Sequence, residues 1–464
     1  MKRILWIVIA VLIVAALAGT VFVEMSQSQD TTPAKAFAQA SKPQVGTYIT
    51  EYSTQAANTN PNGIAVDSNG NVWFVLGNVS TLSELTPSNG TLHEYSIPGS
   101  GTYTSLCWGM VYQASKNMIW FTDVSTNTVY SFSVSANTFT RYSLHQSEST
   151  PFGIAIDSQG NVWFTESGAN KLGEVTYSGQ LKEITIPTTS GSPAGVSADK
   201  SGTVWVALPS LNEIASYGGG RFQFYNLTEL VSLPAGIFAD GKGNIWIMGH
   251  GTSLFAEFNP VTHYFKSIST TIPPLNSSLP YFDYMDSNGN LWFNEHYGNA
   301  IAEYNPSTSA LVEYEVPTKI ASVGNISGAL TMNLSPRGAP WFTEIFSGKV
   351  GTVNVSAPVP LSISATNSSL SPSNPIPISN GNSVSISLSI GNSLSEPVSL
   401  RVSVGNITGS NFQFSFSPSS QISDFDSTLT ITNVGSAPGV YFVTVGAQTA
   451  NVIVSTILEI QVSH

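Results

Sequence analysis

Two histidines stand where this sequence could do chemistry. His250 and His296 each follow a tryptophan, Trp246 and Trp292, by four residues, and Glu295 adjoins the second of them. Two imidazoles and a carboxylate converging on one point would suit a transition metal or general-base chemistry. One residue earlier after other tryptophans come three more acids, Asp123, Glu166 and Glu344. The alternative is that all of them are solvated rim residues, because spacing between distant segments constrains distance only loosely. A second acidic pattern, "DSNGN" at Asp67 and Asp286, has the start of a calcium loop. Its glycine falls at the fourth position instead of the sixth and no glutamate closes it, so the pattern predicts a tight turn.

Seven copies of one repeat must position these side chains. The stretch "PFGIAIDSQGNVWFTESGANKLGEV" from Pro151 returns, with changes, around Trp73, Trp120, Trp205, Trp246, Trp292 and Trp341. Successive tryptophans, counting Trp163, are 47, 43, 42, 41, 46 and 49 residues apart. That is the range of about 40 to 50 of a four-stranded propeller blade. No 3.6-residue apolar period appears. Each unit reads as four short alternating strands, in the third copy "GIAID", "NVWFTE", "KLGEVT" and "LKEITIP", separated by Gly, Asn and Ser turn signals. The last repeat stops after three strands at "GKVGTVNVS", and "YITEYS" at residues 48–53 stands ahead of the first. The early strand is therefore expected to complete the last blade and remove the sheet edges. The fold class is all-β, a seven-bladed propeller over residues 45–357.

The first two strands of a blade are antiparallel, so the Pro-x-Gly start of one lies beside the end of the other. Both share a face with the long loops between blades, such as "IPGSGTYTSLCWG" and "STTIPPLNSSLPYF", while the "DxxGN" hairpins take the opposite face. Loops on a rigid scaffold are where binding surfaces form. The variable residue of Pro-x-Gly should point to the axis, and across the seven blades it reads Asn62, Trp108, Phe152, Ala194, Ala235, Tyr281 and Ser327. Five of these, Asn62, Trp108, Phe152, Tyr281 and Ser327, with Asp123, Glu166 and Glu344, are the candidate ligand-binding funnel. His250, His296 and Glu295 are the candidate catalytic or metal-binding residues. The repeated Trp-Phe pairs read as core between blades, with Trp108 the exception.

The flanks differ from the ring. Lys2 and Arg3 precede twenty uninterrupted apolar residues at 4–23, enough to span a bilayer. Residues 1–25 are thus a membrane anchor or a signal peptide, the anchor being favoured because the apolar run continues past the small-residue motif Ala16-Leu17-Ala18. Either reading places the rest outside the cytoplasm, in a single-pass membrane protein or a secreted one. Residues 26–44, rich in Ser, Gln, Thr and Ala, are expected to be a flexible spacer. After Ala357 comes a serine-rich stretch of alternating strands such as "SVSISLSIG", "VSLRVSVG" and "GVYFVTVG", so residues 358–464 are expected to form an immunoglobulin-like β-sandwich.

Nine Asn-x-Ser/Thr sequons, at Asn78, Asn89, Asn226, Asn276, Asn325, Asn333, Asn354, Asn367 and Asn406, fit an exported glycoprotein, although a chain this rich in Asn, Ser and Thr produces many by chance. The single cysteine, Cys107, excludes an intramolecular disulfide. A net charge of −12 with only 9% charged residues argues against nucleic acid as a partner.

The extended repeat "PFGIAIDSQGNVWFTESGANKLGEVTYSGQLKEITIP" resembles a blade of the streptogramin lyases, the virginiamycin B lyase family. The resemblance implies a seven-bladed propeller and a magnesium-dependent elimination that opens a cyclic depsipeptide antibiotic. In that family the final blade carries Glu-Pro-His-Gly, with the histidine as general base, and a second glutamate four residues after the blade's tryptophan. Here Asn325, Ser327 and Ile345 stand at those three places, and Pro-His-Gly occurs nowhere in the chain. Serine is no base near neutral pH, and Asn and Ile bring no charge to a hard cation. The leading expectation is therefore a membrane-anchored propeller that binds a small molecule, glycan or protein on its loop face. The alternatives are a lyase with relocated catalytic residues, the one case calling for Mg²⁺, and a structural component of the cell envelope.

Overall fold

The computed structural model describes residues 29–31, 35–39, 44–54, 59–99, 105–227, 231–270, 278–324, 326–366, 375–393, 396–405 and 410–463. The apolar segment 4–23, Asn325 and the sequons at Asn276, Asn367 and Asn406 lie outside them. Among the described residues no helix is long and apolar enough to cross a membrane.

Seven four-stranded antiparallel units follow one another around an axis. In the third, Pro151–Ile156, Val162–Glu166, Lys171–Val175 and Leu181–Thr185 pair in sequence order from the axis outward. The seventh takes Ala329–Leu334, Pro340–Glu344 and Lys349–Val353 from the end of the ring and Ile49–Ser53 from its beginning. Tyr52 packs against Trp341 with ring centroids 5.3 Å apart, the same contact that Tyr95 makes with Trp73 at 5.8 Å within the first blade. The buried carboxylate of Glu51 accepts from Lys349 Nζ at 2.7 Å and from Thr318 Oγ1 at 2.9 Å. The early strand thus closes the ring as the repeat count requires.

Each letter of the repeat has a physical task. The turn aspartate accepts two backbone amides on one oxygen and the tryptophan indole on the other. For Asp157 these are Gln159 N, Asn161 N and Trp163 Nε1, all at 2.9 Å. The same indole bond recurs at Asp67, Asp199, Asp240 and Asp286. Gly160 sits at φ 81°, the left-handed conformation that the turn demands and glycine supplies without strain. With both oxygens engaged, "DxxGN" is a turn and an anchor for tryptophan.

The threonine of "WFTE" staples neighbouring blades, Thr165 Oγ1 donating to the carbonyl of Ala194 at 2.6 Å. The glycine of Pro-x-Gly permits that approach, since a Cβ on Gly153 would lie 2.4 Å from the same carbonyl oxygen. Tryptophans fill the space between blades, as expected. Trp73 meets Phe132 at 5.6 Å and Trp246 meets Tyr304 at 5.8 Å.

The C-terminal region is a sandwich of two sheets. Strands Leu361–Thr366, Ser383–Asn392, Phe425–Asn433 and Phe412–Ser417 form one, and Val452–Val462, Gly439–Gln448 and Pro397–Gly405 lead the other. It is not an independent bead. Val452–Val462 pairs antiparallel with Ala310–Glu315, the outer strand of the sixth blade, making one nine-stranded sheet across both units. A single apolar cluster accordingly runs from Trp292 and Tyr314 of the ring to Ile386, Leu429 and Val443 of the sandwich. The stretch expected to be a flexible spacer also departs from expectation. Gln29–Thr31 pairs with the outer strand of the second blade and Lys35–Gln39 with that of the first. Outer strands present unpaired backbone groups, and an extended segment of any composition can satisfy them.

Candidate functional site

Backbone register fixes which side chains reach the axis. The residue two before each of Ile64, Met110, Ile154, Val196, Ile237, Asp283 and Met332 begins the inner strand's course past the axis. These seven pair with the residue that follows the blade's tryptophan. Six of the expected axial residues obey this rule. The seventh does not: Met332 opposes Phe342, so the seventh blade places Leu330 there, and Ser327 lies three residues upstream. The degenerate "SGALTMNL" lacks the proline that marks the register, which is why counting from Gly328 misplaces it. Ser327 is fully buried and donates through both N and Oγ to Asn299 Oδ1, at 2.7 and 2.9 Å. Asn62 is likewise structural, its Oδ1 accepting from Cys107 N at 3.0 Å and its amide donating to Asn60 O.

The large axial residues meet one another across the ring. Trp108 stacks on Phe152 at 5.0 Å, and Tyr281 from the far side presents its edge to both at 6.3 Å. His250 lies 4.6 Å from Tyr281, and His296 lies 5.8 Å from His250. Four blades thus build one aromatic cluster at the loop-face end of the axis. Its roof is half-exposed, because Trp108 and Phe152 retain solvent contact while Tyr281 is buried. Neither His250 Nε2 nor His296 Nδ1 has a hydrogen-bond partner. Burial lowers His250 to about 3, with His296 adding repulsion, and burial alone lowers His296 to about 4. Both imidazoles are therefore neutral at physiological pH and able to donate or accept hydrogen bonds.

The acids do not join them. Alternation along the second strand turns the residue before each histidine position into the blade. Glu295 faces Glu313, Glu166 faces Glu183 and Glu344 faces Glu51, each pair linking a blade's second and fourth strands. Burial first, and the facing carboxylate as well, hold Glu166, Glu295 and Glu344 above the ordinary carboxyl range. Lys171 approaches Glu183 at 3.5 Å and Lys349 meets Glu51 at 2.7 Å. In the sixth blade Ala300 takes the register of those lysines, and Arg401 of the sandwich supplies positive charge toward Glu313. Asp123 caps a turn, accepting from Ser125 N and Thr126 Oγ1 at 3.0 Å. Among the described residues no group of three or more His, Cys, Asp and Glu side chains could hold a metal ion. The expected His250–His296–Glu295 constellation is thus two imidazoles without the carboxylate. The funnel loses Asp123, Glu166 and Glu344 to the blade interiors.

One residue escaped the sequence reading. Asp283 occupies the register position filled elsewhere by Ile64, Met110, Ile154, Val196, Ile237 and Met332, all buried. The signal was present in "YFDYM", where the blade replaces glycine and an aliphatic residue by Phe282 and Asp283. Asp283 is 6% exposed and its Oδ2 has no partner. It lines a cavity of about 200 Å³ on the axis, on the hairpin side of the aromatic cluster.

Residues 33–255 match the Virginiamycin B lyase family. A streptogramin B lyase structure is 24% identical and superposes with a TM-score of 0.58, covering 66% of this chain and 97% of its own. The virginiamycin B lyase of Staphylococcus aureus is 21% identical at a TM-score of 0.58, over 66% of this chain and 98% of that one. Hydrazine synthase of Kuenenia stuttgartiensis follows at 11% identity and a TM-score of 0.51, again with 66% and 98% covered. No curated protein matches the chain. At such identities the structural matches establish the fold, a seven-bladed propeller, and the sequence match makes residues 33–255 similar to the Virginiamycin B lyase family.

Proposed function

We propose that the chain is an extracytoplasmic, membrane-anchored propeller that binds a ring-bearing small molecule or glycan at the loop-face end of its axis. The observation that carries this is the cluster of Trp108, Phe152 and Tyr281 beside two imidazoles with unpartnered nitrogens. Trp108 offers a flat, half-exposed face for stacking. The neutral histidines offer a directional hydrogen bond at the base of the same hollow, the mixture of apolar wall and few polar groups that ligand sites share. Anchoring rests on the apolar residues 4–23, and protease added to intact cells should release a large fragment carrying the propeller.

Elimination of the lyase type is not part of this reading. The register that corresponds to the family's base holds Leu330, and Ile345 stands at the second glutamate's place, so these residues do not fit a magnesium ion. A base held near 3 or 4 also accepts a proton weakly at neutral pH. A solved complex joins a catalytically inactive variant of the Staphylococcus aureus lyase to quinupristin, which makes that compound the natural probe. Purified protein should bind a ring-bearing ligand with a change in tryptophan fluorescence that Trp108→Ala removes, and should leave quinupristin intact with magnesium present. Ring opening that disappears in the His250→Ala/His296→Ala double variant would replace this proposal with a lyase using relocated residues.

A further inference from the structure

Six blades place an aliphatic side chain at the register position where the sixth places Asp283. A carboxyl with one oxygen unpartnered is costly in that setting, since a buried polar group loses its hydration without compensation and a charge loses far more. Nothing in the fold requires it, because the other blades satisfy the same packing with Ile, Val or Met. Its Oδ2 is unpartnered and buried at the wall of the axial cavity. The adjoining walls are the glycine-bearing inner strands around Gly153, Gly195 and Gly236. Every inner strand pairs on one side only, so its other edge turns alternate carbonyl and amide groups toward the axis. No lysine or arginine lines the cavity.

We infer that the axial cavity is a binding site for one hard metal cation of the calcium class, with Asp283 as its only side-chain anion and strand-edge carbonyls and water completing the shell. Calcium accepts six to eight oxygen ligands of mixed carboxylate, carbonyl and water origin, a shell that needs neither histidine nor a second acid. The volume, about 200 Å³, holds an ion with its water. A second cavity of about 370 Å³ opens on the hairpin side and shares Val111 and Ile156 with the first, which gives an entry route away from the aromatic cluster. The site is separate from the histidine hollow in residues and in access.

Chelator-treated full-length protein is the material for the test. Millimolar calcium should raise the melting temperature of the wild type by a few degrees, and equilibrium dialysis should find one ion per chain. Asp283→Asn should abolish both. Asp283→Leu should abolish both and melt above the calcium-free wild type, because it restores the aliphatic residue of the other blades; that rise also shows the variant is folded. A wild type indifferent to calcium and to magnesium would overturn the inference, leaving Asp283 to bind buried water. So would an equal calcium shift in Asp283→Leu. His250→Ala should leave the calcium shift intact while weakening the loop-face ligand, so the two proposals can fail separately.

Discussion

The two faces of this propeller treat their polar groups in opposite ways. On the hairpin face five aspartates repeat one arrangement, with backbone amides on one carboxylate oxygen and an indole on the other. On the loop face and along the axis, His250 Nε2, His296 Nδ1 and Asp283 Oδ2 have no partner at all. The first pattern is uniform because it is what a blade needs in order to be a blade. These three atoms belong to residues with which a blade departs from the repeat, unlike the buried acids Glu166, Glu295 and Glu344, which recur in three blades. Where a polar residue recurs and is satisfied it belongs to the scaffold; where it is unique and unsatisfied it awaits something that the fold does not provide.

The largest effect should come from breaking the frame that both faces share. Deleting residues 46–53 removes the outer strand of the seventh blade, the Tyr52–Trp341 contact and the Glu51–Lys349 ion pair, and leaves an open sheet edge. The variant should aggregate or melt far below the parent. A monomer with the parent's melting temperature would show that closure contributes nothing. Next comes the satisfied face. Asp157→Ala strips four hydrogen bonds and leaves the indole of Trp163, 7% exposed, without its acceptor. The expected cost is roughly 1–3 kcal/mol in denaturant unfolding, with ligand binding unchanged. Loss of binding in this variant would blur the division between the faces.

Titration sharpens the contrast from another side. Glu166, Glu295 and Glu344 are raised by burial and by the carboxylates facing them, with Lys171 and Lys349 partly opposing the rise in two of the three blades. A raised folded value gives stability that is complete below the unfolded carboxyl pKa, about 4.3, and fades as pH climbs through the folded value. The histidines run the other way. Held at about 3 and about 4, with Tyr281 and each other as neighbours, they give stability that is complete above the unfolded imidazole pKa and fades as pH falls through the folded values. The melting temperature should therefore peak in mildly acidic solution, between about 4.3 and 6.5. Glu295→Gln should flatten the alkaline limb, and His250→Phe/His296→Phe the acidic one. If both limbs survive both variants, other groups control the profile.

Much of the fold was legible because its causes are local and repeated. The tryptophan spacing, the turn aspartates and the displaced strand "YITEYS" each state a blade's requirements in a short window. What escaped depends on relations between windows. The Glu295–Glu313 pair joins strands whose contact only the blade's width creates. The sheet shared by Ala310–Glu315 and Val452–Val462 brings together residues more than a hundred positions apart that carry no matching signal. Ser327 was misplaced because the proline that would mark the register is Ala329 in that blade. The aromatic residues Trp108, Phe152 and Tyr281 were found by pattern, since each is a departure at a fixed place in the repeat. Asp283 departs at a fixed place too, but two residues past the variable position of Pro-x-Gly, where the aliphatic side chains of the other blades read as core.

The smallest effect on stability should come from the residue expected to matter most for binding. Trp108 keeps part of its surface in solvent, stacks on Phe152 at 5.0 Å and lies at the axis, away from the turn aspartates that hold the indoles of other tryptophans. Truncation to alanine removes one half-covered stacking contact, which costs about 1 kcal/mol, less than a filled core position would. The same truncation removes the larger of the two part-exposed aromatic rings, Trp108 and Phe152, that roof the hollow. Hence Trp108→Ala should unfold close to the wild type in denaturant while losing most of its affinity for a stacking ligand. Trp73→Ala supplies the opposite control, because that ring is fully buried between blades and bonded to Asp67. It should destabilise by several times as much, and any folded fraction should bind ligand normally. Equal losses of stability in the two variants would mean that Trp108 is scaffold like the others, and the hollow it roofs would lose its claim to a ligand.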